Sequence, residues 1–260
     1  MIKINSLAKP ELFSQRISVV IADIDYTLMD FAVAQQAAID ALTLKYGNEF
    51  SSTVNSIFML INEEHQHKDS NTWNRKKDFE KIMKEIAEIE QPSFAQYGFK
   101  RWSRESWMII ASRRLDMNFT KIDVEECRDT YWKAHANNSH LYKDAAIFLE
   151  ELKDRNIPLI LMTSGDSVMK VNDNLRLTYD PNFSETYKMR RISILPLKYS
   201  SIIFGETVDK PDPKFFELVY SDLNKLGSFD KNSVLFIGDS PKSDLMVPEK
   251  DGYSTLLIKR

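Results

Sequence analysis

The sequence contains a single cysteine, Cys127. A lone cysteine cannot close a disulfide within the chain, and such usage suits a reducing compartment. Charge of one sign is missing too: 35 basic side chains against 38 acidic ones leave a net charge of −3, with both signs interspersed. That balance excludes the broad basic field on which nucleic-acid binding depends. Long apolar runs are also lacking. The amino-terminal stretch MIKINSLAKPELFSQRISVVIAD offers only a six-residue apolar segment around Ser18, too short for a secretory leader or a membrane span. Neither internal repeats nor low-complexity segments occur. The expectation is a soluble, cytoplasmic, folded protein with no nucleic-acid and no membrane partner, its oligomeric state unassigned.

What is present is ordinary in amount: 43% hydrophobic and 28% charged residues in a chain of 260, enough for one large core or two smaller ones. The apolar residues are not evenly spread. Short runs occur at ISVVIA (17–22), IPLILMT (157–163), SIIF (201–204), SVLFIG (233–238) and STLLI (254–258). They lack clean alternation, which suits strands buried on both faces of a parallel sheet. Helical patterns separate them. Ala145, Phe148, Leu149 and Leu152 share a face, with Asp144 as the candidate N-cap. Phe215, Phe216, Val219, Leu223 and Leu226 share another, with Asp212 to cap it, Pro213 in its first turn and Gly227 to end it. Strands alternating with helices from about residue 144 onward predict a doubly wound, Rossmann-like α/β domain.

Residues 32–139 have a different character, with several helical patterns and no strong strand candidate. Val33, Ala37, Ala41 and Leu44 form one stripe that stops at Gly47. Phe79, Ile82, Met83, Ile86 and Ile89 form a second, stopping near Pro92. Val124, Cys127, Tyr131 and Ala134 form a third, with acids in its first turn, where they suit the helix dipole. An all-helical domain spanning 32–139, inserted into an α/β core made of 1–31 and 140–260, is the expected organisation.

Chemistry gathers at the ends of the strands. VVIADIDYTLMD (19–30) runs from buried strand into Asp23, Asp25 and Thr27; LMTSGD places Thr163 and Ser164 beyond the second run. GETVDKPDPKFF carries Lys210 between strand and helix, and VLFIGDSPKSDL carries Gly238, Asp239 and Asp244. Each alone has a plain explanation: an acidic turn, a strand-to-helix turn, a surface lysine beside proline. In a parallel sheet, however, all strand ends open onto one edge, where α/β ligand sites form. Several carboxylates at one site cannot all stay ionised without a cation. Hard oxygen ligands favour Mg²⁺, and hydroxyls, free backbone N–H groups and a directed lysine suit a phosphoryl group.

These residues resemble the four signature motifs of the haloacid dehalogenase (HAD) superfamily, in the phosphatase branch with a helical type 1 cap. Asp23-Ile-Asp25-Tyr-Thr27 matches the first motif, Thr163 the second, Lys210 in Lys-Pro-Asp-Pro the third, and Gly238-Asp239 with Asp244 the fourth. The likeness covers residues 12–30 and about 141–258, and implies a Mg²⁺-dependent phosphatase acting on a small phosphorylated metabolite. It implies Asp23 as nucleophile and Asp25 as general acid and base. Asp23, Asp25 (through its carbonyl), Asp239 and Asp244 would be the metal ligands. Thr163, Ser164 and Lys210 would hold phosphate, with Thr27 orienting the loop. A phosphoglucomutase-like phosphotransferase and a non-catalytic phosphate-binding regulator are the alternatives. A hydrolytic dehalogenase is disfavoured, since that branch lacks the second acid corresponding to Asp25.

Two departures from the family pattern stand out. Tyr26 occupies a place where glycine is frequent, and LMVPEKDGY after Asp244 lacks the usual small pair, so a locally different helix is expected there. The stretch from Asn172 to Ser200 is long and basic, without an assigned role. In the helical insertion, RWSRESW (101–107) and TWNR (72–75) mix Trp with Arg, either to recognise a sugar, base or carboxylate or as plain core and surface residues. His65 and His67, at i and i+2 of a helix, face apart and are not expected to share a metal.

Overall fold

The structure, a computed structural model, describes residues 1–9, 16–67, 73–90 and 102–260, with 65–67 described by backbone alone. The expectations for the side chains of His65 and His67, the helix stop near Pro92, Thr72 and Arg101 fall outside that range. By contact density the chain divides into two compact units. Unit 1 comprises Met1–Val33, Ser139–Gly165 and Ile192–Arg260; unit 2 comprises Ala34–Asn138 and Asp166–Arg191.

Unit 1 is built on β1 (Ile2–Ile4), β2 (Val19–Ala22), β3 (Leu159–Ser164), β6 (Ser201–Gly205), β7 (Val234–Gly238) and β8 (Ser254–Ile258). All pair in parallel, in the order β1-β8-β7-β2-β3-β6. The five apolar runs of the sequence are all strands. The sixth, β1, was not anticipated, because three residues that stay largely exposed at a sheet edge carry no burial signal. Val19, Ile21, Ile160, Met162, Val234 and Phe236 form one side of the sheet's core with Phe215, Phe216, Val219 and Leu223 of α8 (Pro213–Leu226). Each such side chain, moved out of water, contributes about 1.5–3 kcal/mol. Asp212 caps α8, accepting from the Lys214 N–H.

Asp144 does not cap its helix. α6 (Lys143–Asp154) starts after Tyr142, so Asp144 lies inside the first turn, where it accepts from Leu7 N–H and from Arg260. Two distant partners outbid the local backbone for this carboxylate.

The chain steps from β2 to β3 and β6 in one direction and reaches β7 and β8 in the other. The topological switch therefore falls beside β2, which places Asp23 and Asp239 at the crevice such sheets use for ligands.

Unit 2 contains most of α1 (Phe31–Tyr46) together with α2 (Asn48–His67), α3 (Lys76–Ile89), α4 (Arg104–Arg114) and α5 (Lys121–Asn137). It also holds an antiparallel hairpin, β4 (Met169–Val171) with β5 (Leu177–Tyr179), and most of α7 (Pro181–Ser193). The sequence-based boundaries assign residues 166–191 to the α/β core. In the structure these residues cluster with the helical unit, because β4 packs on α5, Leu177 bridges to Glu90, and Glu105 accepts from the Met169 N–H at 3.3 Å. The long basic stretch without an assigned role thus supplies β5, the partner of β4 just before it, and α7. The α1 stripe is also displaced: Val33 and Leu44 are 45% and 90% exposed, and the buried face is Ala34, Ala38 and Leu42. Apolar residues surround this helix, so its packing partners decide which face is covered. Cys127 is free and buried in α5. Among the described residues, no helix is long and apolar enough to cross a membrane.

Candidate active site

Each acidic side chain is delivered by a local device. β2 is buried throughout, and Asp23 continues its ladder by donating its N–H to the Ile237 carbonyl at 2.9 Å. The chain then turns tightly. Leu28 and Met29 N–H groups both reach the Ile24 carbonyl, at 2.9 and 2.8 Å, and Tyr26 N–H reaches Met29. This turn puts Tyr26 in the left-handed region, at φ 60°, which explains why glycine is the residue expected there. The Tyr26 ring lies 5.2 Å from that of Phe31.

On the neighbouring strand, a Cβ at Gly238 would fall 2.4 Å from the Asp244 Cβ. Only glycine lets the following turn come so close. That turn, Pro241–Leu245, is π-helical and passes into the short α9 (Met246–Lys250), the locally different helix expected there. Ser240 N–H donates to Asp244 Oδ2 at 2.9 Å and fixes the carboxylate.

Lys210 joins the two halves. Its Nζ donates to Asp23 Oδ1 at 2.6 Å and to Asp244 Oδ1 at 2.7 Å, all three side chains being almost wholly buried. Asp23, Asp239 and Asp244 each place an oxygen within 4.8 Å of the others. Asp25, half-buried, lies close enough for its charge to raise both Asp23 and Asp239. Thr27 is fully buried with its hydroxyl 3.4 Å from Asp239 Oδ1. Thr163 and Ser164 end β3 beside Phe204 and Gly205, on the same sheet edge, Thr163 buried and its hydroxyl 3.4 Å from the Ser164 carbonyl. No hydrogen bond among the described ones links them to the carboxylates.

The electrostatics follow from crowding. Burial pushes Asp23 up to about 8; Lys210 opposes this, while Asp244, Asp239 and Asp25 add to it. Burial and Asp244 push Asp239 up to about 7 against Lys210. Burial acts to lower the Lys210 ammonium, but Asp23 and Asp244 outweigh it and hold it above its ordinary value. One lysine is too little positive charge for this many acids. A buried set of oxygen donors, short of one or two positive charges, fits a hard divalent cation.

Three further residues at this edge carried no readable signal. Arg260 donates to both oxygens of Asp144 at 2.7 Å and to the Thr27 carbonyl, and its guanidinium lies 4.0 Å from the Tyr142 ring centroid. Glu206 is buried with its carboxylate against Gly165, where a Cβ would meet it at 2.5 Å. Asp209 occupies the space over Gly205 in the same way and accepts the Lys210 N–H at 2.7 Å. The acids stood within the GETVDKPDP run, but nothing local marked them as packing on the loops that end β3 and β6.

Comparison with known proteins identifies the family and the fold. The family model described as haloacid dehalogenase-like hydrolase matches residues 17–248. The fold resembles YfnB of Bacillus subtilis, described as a HAD-hydrolase bound to magnesium, at TM-score 0.54 and 15% identity, over 94% of this chain and 87% of that one. It also resembles the L-2-haloacid dehalogenase of Xanthobacter autotrophicus, at TM-score 0.51 and 16% identity, over 94% and 78%. A protein described as a β-phosphoglucomutase from Thermotoga maritima matches at TM-score 0.50 and 17% identity, over 92% and 84%. Identities this low speak to the fold alone. No curated protein matches the sequence significantly. With its family model spanning nearly the whole chain and its parallel sheet closing on the motif-bearing strand ends, the protein belongs to the haloacid dehalogenase-like hydrolases.

Proposed function

We propose that the protein is a Mg²⁺-dependent phosphatase that hydrolyses a small phosphomonoester through an aspartyl-phosphate on Asp23. The observation that carries this reading is the gathering of buried Asp23 and Asp244 and half-buried Asp239 around Lys210, which bonds Asp23 and Asp244, with Asp25 beside them. A carboxylate that attacks a carbon–halogen bond needs no second cation. A set of acids that one lysine cannot neutralise does, and so does a phosphate dianion.

Asp23, Asp239 and Asp244, with the Asp25 carbonyl, would hold the Mg²⁺, which when bound neutralises the acids and the phosphate charge. The residues do the rest. The free oxygen of Asp23 attacks phosphorus as the ester oxygen leaves, taking a proton from the Asp25 carboxyl. Asp25, now ionised, removes a proton from water, the water oxygen attacks phosphorus, and Asp23 is released as its carboxylate. Lys210, the Thr163 hydroxyl and the Ser164 N–H supply positive charge and donors to the non-bridging oxygens, where charge stabilisation is worth most. Burial of Asp23 keeps competing water from its carboxylate.

The test is phosphate release from an aryl phosphate with Mg²⁺, with chelator and with Asp23→Asn, run beside halide release from 2-chloropropionate. Phosphate release that disappears with chelator and in the variant is expected, with no halide. Chelator-insensitive halide release, or phosphate release retained by Asp23→Asn, would overturn the reading.

A further inference from the structure

Unit 2 holds a buried cation that the chemistry at Asp23 does not use. Arg104 is the first residue of α4, where the positive end of the helix dipole disfavours a cation. It is 4% exposed. Its Nη1 donates to the Trp102 carbonyl at 2.6 Å and its Nε lies 3.4 Å from the Tyr131 hydroxyl. The guanidinium lies 4.9, 5.8 and 5.0 Å from the ring centroids of Trp107, Tyr131 and Trp132. Among the described residues no carboxylate stands within ion-pair distance of it. The acids nearby face other partners, with Arg128 the charge set against Glu105, whose Oε1 accepts no hydrogen bond. Asp166 accepts from Lys188 at 2.9 Å and Arg191 at 3.1 Å, and Glu105 accepts from the Ser103 hydroxyl at 2.9 Å and the Met169 N–H. Ring faces and two neutral acceptors offset only part of what a guanidinium loses on leaving water.

Two neutral donors beside Arg104 lack acceptors as well. Gln35, 6% exposed, accepts from the Tyr131 hydroxyl through Oε1, while its Nε2 has no partner. Trp132, 4% exposed and facing the guanidinium, has no acceptor for its Nε1–H. The Tyr131 hydroxyl ties the group together, since it bonds Gln35, meets Arg104, and also feels the charges of Asp166 and Arg191. Lys188 and Arg191 thus share the carboxylate of Asp166, and Arg104 makes no ion pair with it.

A fixed fork of N–H groups, two further donors and three aromatic rings together complement a small planar anion. We propose that unit 2 carries a binding site for a small organic carboxylate, built from Arg104, Gln35 and Trp132. Guanidinium matches carboxylate in shape, and the ring walls favour a singly charged organic anion over a phosphate dianion. The inference rests on unit 2 alone and stands or falls separately from the reaction proposed for Asp23.

The test uses the intact protein, with propionate and benzoate as probes, sulfate as the control anion, and tryptophan emission and melting temperature as readouts. Wild type is expected to respond saturably to the carboxylates and not to sulfate. Arg104→Met should weaken that response about tenfold or more, the size expected for one charge-assisted pair. Gln35→Leu should weaken it less. Without ligand, Arg104→Met should melt at or above the wild-type temperature, because the charge it removes has no counter-charge. If Arg104→Met does not fold, Gln35→Leu decides, and unchanged carboxylate affinity in it would sink the proposal. So would the absence of a saturable wild-type response, an equal response to sulfate, or full affinity in a folded Arg104→Met.

Discussion

Lys210 Nζ stands 2.6 Å from Asp23 Oδ1, joining residues 187 positions apart in the chain, and the same ammonium reaches Asp244 at 2.7 Å. The lysine opposes the upward push on Asp23 and so favours the ionised, nucleophilic form. Lys210→Met is expected to lower kcat for phosphate release by about 10²–10³, the usual cost of removing one donor from developing oxyanion charge. Lys210→Arg should not rescue it, since a planar fork does not replace a compact ammonium bridging two carboxylates. Steady-state kinetics on the three proteins, with circular dichroism to confirm folding, checks this.

Asp23 and Asp239 titrate near 8 and 7 in the folded protein against an ordinary 3.8. Between about pH 4 and pH 8 the folded state therefore binds more protons at these sites than the unfolded state does. By linkage, their contribution to stability falls as pH rises through that window. In chelator, wild type should lose melting temperature relative to Asp239→Asn between pH 5 and pH 8. Added Mg²⁺ should remove that loss, because metal and protons compete for the same oxygens. An identical pH slope with and without Mg²⁺ would contradict this.

Tyr26 holds φ at 60°, a conformation that costs a non-glycine residue about 1–2 kcal/mol. Tyr26→Gly removes that strain but loses the Phe31 contact and frees the unfolded chain, so urea unfolding should shift by less than about 1 kcal/mol. Tyr26→Val, β-branched at positive φ, should destabilise by more than about 1 kcal/mol. Equal effects of the two substitutions would show that the ring contact, not the backbone, governs this position.

At Gly238 an added methyl group would meet the Asp244 Cβ at 2.4 Å and its Oδ2 at 2.5 Å. Gly238→Ala must push Asp244 away from Lys210 and from the other two carboxylates. Mg²⁺ affinity, followed by calorimetry, is expected to fall about tenfold or more, with activity falling alongside it. Gly252→Ala, where φ is positive, unlike at Gly238, but the space is open to within 3.9 Å of Lys231, should cost stability alone.

Much of unit 1 was legible because its strands are short apolar runs buried on both faces, and such runs announce themselves without tertiary context. β1 was not, since Ile2–Ile4 pairs at an edge and keeps two of three side chains outside. Burial likewise marked Asp23 and the Gly238–Asp244 turn, because acids directly after a buried strand are conspicuous. What escaped depends on contacts between distant segments. Arg260 reaching Thr27 and Asp144, Glu206 lying over Gly165, and Glu105 drawing Met169 into the helical unit leave no local pattern. For the same reason residues 166–191 read as part of the sheet domain, and the buried face of α1 was set one residue away from where it lies.

The central claim is that phosphorus is transferred to Asp23, and acid-quenched peptide mass spectrometry during turnover of an aryl phosphate tests it most directly. With Mg²⁺, the peptide that carries Asp23 should bear one phosphoryl group. The adduct should accumulate in Asp25→Asn, which lacks the base for the second step, and be absent in Asp23→Asn and in chelator. Turnover with no adduct on that peptide in wild type or in Asp25→Asn, or an adduct on another residue, would contradict the account.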